Sequence, residues 1–279
     1  MKIFKSINNN IVSAFDDSGK EVVVIGRGIG FKAKEGDLIQ DDKIDKVFLM
    51  RSQNETERLK ELFASLPEEY IALTDEILTY AKDTLKRRLH EGAYITLADH
   101  INFSIKRFKE GLEFNNVLLS EIRRFYPTEY AIGRYALELI KKRLDVEMPE
   151  DEAASIALHI FNAEYDISVS DVFHATRLLD EILDLIKGEI DLVLDDSDYY
   201  CERFLSHLKF LTQRIVRKEY LPKTDDDFYQ LISSKYQEEA GCSRKIADMV
   251  LAGTGYQMSL EEISSLTIHL KRIATSSKK

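Results

Sequence analysis

Four of the six histidines in this chain of 279 residues recur in a pattern. His100 and His159 lie 59 residues apart, His207 and His269 lie 62 apart, and each has flanks that match its counterpart. His100–Ile101–Asn102–Phe103 with Arg107 returns as His207–Leu208–Lys209–Phe210 with Arg214. A neutral imidazole is a good nucleophile near neutral pH, and a phosphoryl group placed on it adds roughly −1.5 to −2 charges. Metal binding needs three or four ligands in a defined geometry, and the sequence has no HxH, HExxH or Cys–His cluster to supply them. General acid–base catalysis needs a nucleophile or substrate pocket beside the ring, and no GxSxG or catalytic-cysteine setting is present. No metal, cofactor or catalytic residue is expected, and no enzymatic activity. A hydrogen-bonded structural role stays open for each ring, but reversible phosphorylation of His100, His159, His207 and His269 fits the duplicated pairs best. Arg107 and Arg214 follow their histidines by seven residues, about two helical turns, which puts each on its histidine's face to meet a phosphate or to form a surface ion pair. Asp99 adjoins His100 and would either orient or repel it; Ser206 holds the equivalent place in the second copy. His90 and His174 have no repeat partner and default to structural or surface roles.

A second group of residues lies near the N-terminus. Gly26, Gly28 and Gly30 alternate with Arg27, Ile29 and Phe31. The stretch does not open a helix as GxGxxG does, and no P-loop lysine follows it, so a nucleotide role is not expected. Closely spaced glycines let a backbone approach a ligand, Arg27 supplies charge, and Phe31 supplies a stacking face. Asn8, Asn9 and Asn10 carry amides able to read base edges or sugar hydroxyls, and equally able to serve a turn alone. The net charge of −10 argues against nucleic acid, but its distribution does not. Residues 1–34 hold six basic and three acidic side chains, a balance of +3, and residues 1–50 hold eight of each, so the whole deficit belongs to the rest of the chain. A small basic end on a large acidic body can hold a polyanion locally.

The elements that must position these groups differ between the two regions. Lys2–Ile7, Ile11–Phe15, the β-branched run Val22–Ile25 and Lys46–Met50 read as four short strands separated by polar turns at Asn8–Asn10 and Asp16–Gly19. So small a sheet buries little surface by itself and should need a partner, another copy of itself being the natural one. Arg51–Arg58 is polar and reads as a linker running into a helix. Beyond it the apolar spacing is helical to the end. Asp75–Leu78 returns as Asp180–Leu183, Ile122, Tyr126 and Glu129 as Ile232, Tyr236 and Glu239, and Met148, Glu152, His159 and Ile160 as Met258, Glu262, His269 and Leu270. The offset drifts only from about 105 to 110 residues, so the chain carries two copies of one helical domain, with a boundary near Ser168–Ser170. The expected fold is mainly α: a small N-terminal four-stranded antiparallel β domain (1–55), a linker (56–65) and two homologous helical bundles (66–169 and 170–279). The hydrophobic fraction of 44% and charged fraction of 32% suit an ordinary folded chain. Met1–Asn10 carries no apolar signal core and no run approaches a membrane span, so a cytoplasmic protein without membrane insertion is expected, with Cys201 and Cys242 reduced and structural.

The opening MKIFKSINNNIVSAFDDSGKEVVVIGRGIGF resembles the co-antiterminator RNA-binding domain of BglG/LicT-type transcriptional antiterminators. LADHINFSIKR, PEDEAASIALHIFNAE, FLSHLKFLTQRI and LEEISSLTIHLKRI resemble the two phosphotransferase-system regulation domains (PRDs) that follow it there. The likeness covers essentially the whole chain in the family's domain order, and is nearest the β-glucoside-responsive type. It implies a homodimer that binds an RNA antiterminator hairpin in the leader of a sugar-utilisation operon and prevents an overlapping terminator from forming. Carried over by position, Lys5, Asn10, Gly26, Arg27 and Phe31, with Asn8 and Lys32, would contact RNA. His100 and His159 would be inhibitory sites phosphorylated through the sugar-specific permease (enzyme II). His207 and His269 would receive phosphate from the histidine-containing phosphocarrier protein. Ser265 departs from the pattern, because an aromatic residue is common before Leu266, and this bears on packing around His269. PRDs also occur in DNA-binding activators; the absence of a helix-turn-helix or ATPase motif counts against that alternative.

Overall fold

The computed structural model describes residues 1–49, 52–90, 92–112, 114–166, 168–190, 198–221 and 226–276. Four strands, β1 (Lys2–Asn8), β2 (Ile11–Phe15), β3 (Glu21–Ile25) and β4 (Lys46–Phe48), form an antiparallel sheet in the order β1-β2-β3-β4. The last strand stops short of the expected Met50, which with Arg51 lies outside the described residues. Alternation within β2 sends Val12 and Ala14 to one face, where they meet Val22, Val24, Ile29 and Ile39. Ile11 goes to the other face and shares a core with Val23 and Phe48.

Eleven helices are seen among the described residues: α1 (Gln53–Ser65), α2 (Glu68–Leu85), α3 (Ala93–Lys109), α4 (Leu119–Phe125), α5 (Pro127–Leu144), α6 (Glu150–Tyr165), α7 (Val169–Glu189), α8 (Tyr199–Val216), α9 (Asp226–Lys235), α10 (Gln237–Thr254) and α11 (Leu260–Ser276). The segment 56–65, expected as a linker, is the body of α1. Ser52 caps it by accepting the Glu55 N–H at 3.2 Å, and Thr56, Leu59 and Phe63, spaced three and four apart, give it a buried stripe. That stripe covers the open face of the sheet: Phe48 meets Phe63 at 5.6 Å and Tyr94 of α3 at 4.6 Å between ring centroids. A helical layer of its own chain therefore covers this face of the sheet. Lys60 of α1 reaches Glu21 of β3 at 2.9 Å, and Lys46 of β4 pairs with Asp75 of α2, so charges rim the apolar contact.

The chain divides into two compact units, one comprising Met1–Leu119 and Tyr126–Ile167, the other Ser120–Phe125 and Ser168–Lys279. The second unit takes in the chain from Ser168 onwards. The β module belongs to the first unit together with the first helical copy, and the short segment Ser120–Phe125 counts with the second. Among the described residues, no helix is long and apolar enough to cross a membrane.

Candidate functional site

In the first unit α3 carries His100 and Arg107, and α6 carries Glu152 and His159. In both helices the two residues are seven apart, so each pair lies on one face about two turns apart. The packing of α3 on α6 stacks imidazole on imidazole, with ring centroids 4.6 Å apart and planes tilted by 33°. Two turns further along, the Arg107 guanidinium pairs with the buried Glu152 carboxylate. The second unit repeats the arrangement on α8 and α11: the rings of His207 and His269 lie 4.4 Å apart at 26°, and Arg214 Nε is 3.0 Å from Glu262 Oε1. Histidines separated by about sixty residues are thus paired in both copies.

Burial disfavours the charged form of His159, His207 and His269. Burial, and secondarily the adjacent His100, push His159 down to about 3. Burial, then His269 and Arg214, push His207 down to about 4. Burial, with Arg272 and Arg203 nearby, also lowers His269. An uncharged ring keeps a lone pair for attack on phosphorus, the state a phosphoacceptor needs. None of the four is fully enclosed. Beside each first-pair histidine the surface is apolar: Phe103 and Phe210, three residues beyond His100 and His207, are 59% and 52% exposed at equivalent repeat positions.

The arginines are committed to glutamates that sequence reasoning did not single out. Glu152 and Glu262 are buried carboxylates, and the Arg107 guanidinium also stacks on Phe114, 4.0 Å from the ring centre. A cavity of about 400 Å³, lined by Arg107, Phe108, Leu112, Phe114, Pro149 and Glu152, opens onto this pair. The signal was in the repeat, where both glutamates sit seven residues before the second histidine. Asp99 is exposed, and the carboxylate beside the His100 ring is Glu152 instead: its Oε2 is 3.3 Å from Nε2, in ion-pair range but outside hydrogen-bond geometry. Ser265 places its hydroxyl 3.1 Å from His207 Nε2, so the departure from the family pattern bears directly on a candidate site. His90 hydrogen-bonds the Gly92 N–H through Nδ1 at 3.1 Å, and His174 is exposed.

At the N-terminus the asparagine turn and the glycine loop are one construction. Asn8 Oδ1 accepts the Asn10 N–H at 2.9 Å, and Asn10 Oδ1 accepts the Gly28 N–H at 2.6 Å. The Gly26 N–H donates to Asn10 O, and the Gly30 N–H to Asn9 O, both at 2.9 Å. A Cβ at Gly26 would lie 1.8 Å from Lys43 O, and one at Gly30 2.0 Å from Asn8 O, so neither position has room for a side chain. The asparagine donors face helices: Asn8 Nδ2 reaches Phe63 O at 3.3 Å, and Asn10 Nδ2 bonds the Glu68 carboxylate. Arg27 is exposed, Phe31 is 62% exposed, and Lys32 holds a left-handed backbone (φ 55°) that sets its ammonium 5.3 Å from the Phe31 ring centre. Lys5 is exposed on β1, next to Ser6, whose hydroxyl donates to Gly30 O at 3.1 Å. Among the described residues no group of three or more His, Cys, Asp or Glu side chains gathers as a metal site, and Cys201 and Cys242 are buried and not disulfide-bonded.

A sheet with a glycine-rich basic loop, joined to a twice-built helical unit with stacked histidines, defines an RNA-binding module fused to paired regulatory domains. Residues 1–57 match the CAT RNA binding domain, and residues 75–163 and 180–273 each match the PRD domain. The transcription antiterminator LicT of Bacillus subtilis (strain 168) is 37% identical over 273 residues, spanning 98% of this chain and 99% of LicT. The beta-glucoside operon antiterminator of Dickeya chrysanthemi is 37% identical over 98% of this chain and 96% of its own length. The crystal structure of GlcT CAT-PRDI matches with a TM-score of 0.54 at 34% identity, covering 59% of this chain and 98% of that one. The chain belongs to the family of transcriptional antiterminators built from a CAT RNA-binding domain and two PRDs.

Proposed function

We propose that this chain binds a leader-RNA hairpin as a homodimer and prevents a terminator from forming in a sugar-utilisation operon, a β-glucoside operon by its likeness to the Dickeya relative. It acts in the cytoplasm as a regulator, without catalysis of its own. Residues 1–55 hold the RNA, with Lys5, Asn8, Asn10, Gly26, Arg27, Phe31 and Lys32 as contacts, and the segment 56–65 leads into regulatory domains at 66–169 and 170–279. His100 and His159 accept phosphate through a sugar-specific permease, and His207 and His269 accept it from the histidine-containing phosphocarrier protein. Arg107 and Arg214, two turns from their histidines, are candidate phosphate neighbours together with Asp99.

The observation that carries this reading is the imidazole pair built twice, each ring part-exposed, in a chain whose basic end is a CAT-type sheet. Two added phosphoryl groups would bring about −3 to −4 charges into one stacked pair. The exposed Phe103 and Phe210 give each histidine face an apolar border suited to a second protein surface, where such charge would decide association.

The test uses the full-length chain with a leader hairpin and its DNA equivalent. RNA should bind, the DNA should not, and binding should weaken steeply with salt; equal affinity for both would sink the assignment. Arg27→Ala should weaken RNA binding and flatten the salt slope by about one. In a reporter strain His100→Asp should depress antitermination, and His100→Ala should loosen its dependence on inducer.

A further inference from the structure

We propose that Glu152 is the positioning residue of His100: its carboxylate holds the proton of Nε2 and leaves Nδ1 as the nitrogen that takes the phosphoryl group. The proposal rests on the reading of His100 as a phosphorylation site.

Two buried polar atoms face each other here. His100 Nε2 and Glu152 Oε2 are both shut off from solvent, neither has a hydrogen bond, and they lie 3.3 Å apart. Leaving either group unsatisfied is costly, and a small rotation of the ring completes an Nε2–H···Oε2 bond that satisfies both. The carboxylate is held in place for this by its other oxygen, Oε1, which accepts the Arg107 guanidinium.

The second unit explains why that oxygen is available. Its equivalent glutamate, Glu262, is fully engaged. Ser259 Oγ accepts the Glu262 N–H at 3.2 Å while the Ser259 N–H donates to Glu262 Oε2 at 2.8 Å, a reciprocal capping box at the start of α11. Glu262 Oε1 takes the Tyr256 hydroxyl at 3.1 Å and Arg214 Nε at 3.0 Å. His207 Nε2 turns instead to the Ser265 hydroxyl. In the first copy Pro149 stands at the position of Ser259, and Val146 at that of Tyr256. Proline has no N–H and valine no hydroxyl, so neither bond to the glutamate can form. Two substitutions between the copies turn a helix-capping carboxylate into an imidazole partner.

The chemistry follows from the tautomer. With its proton on Nε2, the neutral ring attacks the phosphorus of a donor phosphoimidazole through the Nδ1 lone pair. The new N–P bond forms as the donor's P–N bond breaks, and that electron pair returns to the donor ring nitrogen. His100 keeps its Nε2 proton, so its ring becomes an imidazolium, and the positive charge lies beside Glu152. A carboxylate that fixes an imidazole tautomer and stabilises the imidazolium is how hydrolase triads use their aspartate.

The experiment is histidine-15N NMR on the full-length chain, with His100 identified by the signal lost in His100→Gln. Unphosphorylated wild type should show His100 as the Nε2–H tautomer. Glu152→Gln should shift it towards a mixture. So should Pro149→Ser, which keeps every charge and restores the cap found in the second unit, where serine is the native residue. After reaction with the phosphorylated sugar-specific permease, the donor assigned to His100, the wild-type N–P bond should be at Nδ1 of His100, and both variants should react roughly tenfold more slowly or worse. Glu262→Gln should leave the His100 tautomer unchanged. A wild-type His100 carrying its proton on Nδ1, a phosphoryl group on Nε2, or variants indistinguishable from wild type would overturn the proposal. A wild type with the expected tautomer that takes no phosphate at His100 would uphold the positioning and defeat the phosphorylation reading.

Discussion

Folding takes the rings of His159 and His207 out of water, and their low proton affinity is the consequence. In the unfolded chain each binds a proton near 6.5; in the folded chain the values are about 3 and 4. Below 6.5 the unfolded state therefore holds more protons, so the stabilisation is complete above that pH and is lost as pH falls towards 4, at about 1.4 kcal/mol per pH unit for each ring. The double variant His159→Gln/His207→Gln should lose markedly less stability than wild type between pH 7 and pH 5, measured by urea midpoints. Parallel curves for the two proteins would show that these rings are not held neutral by the fold. The arginines allow a second comparison at this scale. Arg107→Met strands the buried Glu152 and should destabilise by about 3–5 kcal/mol. Arg143→Met removes an exposed pair with Glu76, 2.7 Å apart, and should cost about 0–1 kcal/mol. Similar melting temperatures for the two variants would contradict the burial argument.

At the scale of elements, the β module depends on helix α1. Phe63 lies under Phe48, and truncating so buried a ring typically costs about 3–5 kcal/mol, so Phe63→Ala should loosen the sheet from its helical cover and raise amide exchange in β3 and β4. Unchanged exchange there would mean that the sheet does not rely on that contact. Glycines should divide by location. Gly26→Ala and Gly30→Ala collide with backbone carbonyls and should abolish hairpin binding. Gly241→Ala, with nothing within 4 Å of the new Cβ in α10, should stabilise by up to about 1 kcal/mol, read from its urea midpoint. The four strands and the helical repeat were legible in the sequence, because the β-branched run Val22–Ile25, the polar turns at Asn8–Asn10 and Asp16–Gly19 and the matched flanks around the histidines are local patterns. The early start of α1 at Gln53 was obscured by the polar run up to Arg58, in which the buried residue is Thr56. The glutamates beside the arginines were visible as repeat matches, but their role was not. A carboxylate in the first turn of a helix reads as a dipole partner until packing brings a guanidinium to it.

For the whole molecule, the claim is that phosphoryl charge in the helical units governs a basic sheet at the N-terminus. Asn10 and Asn8, proposed as RNA contacts, each already donate one amide hydrogen bond, to the Glu68 carboxylate and to the Phe63 carbonyl, so RNA would have to share or displace those bonds. The pairing of the histidines could be read from duplication, whereas the inclusion of the β module in the first unit required a packing surface that no local pattern announces. The most direct measurement is the affinity of the full-length chain for its leader hairpin before and after phosphorylation by the carrier protein and permease, with each phosphohistidine mapped by mass spectrometry. Phosphate on His100 and His159 should lower RNA affinity tenfold or more, equivalent to about 1.4 kcal/mol. Stoichiometric phosphate on both, with the hairpin bound as tightly as before, would contradict the account.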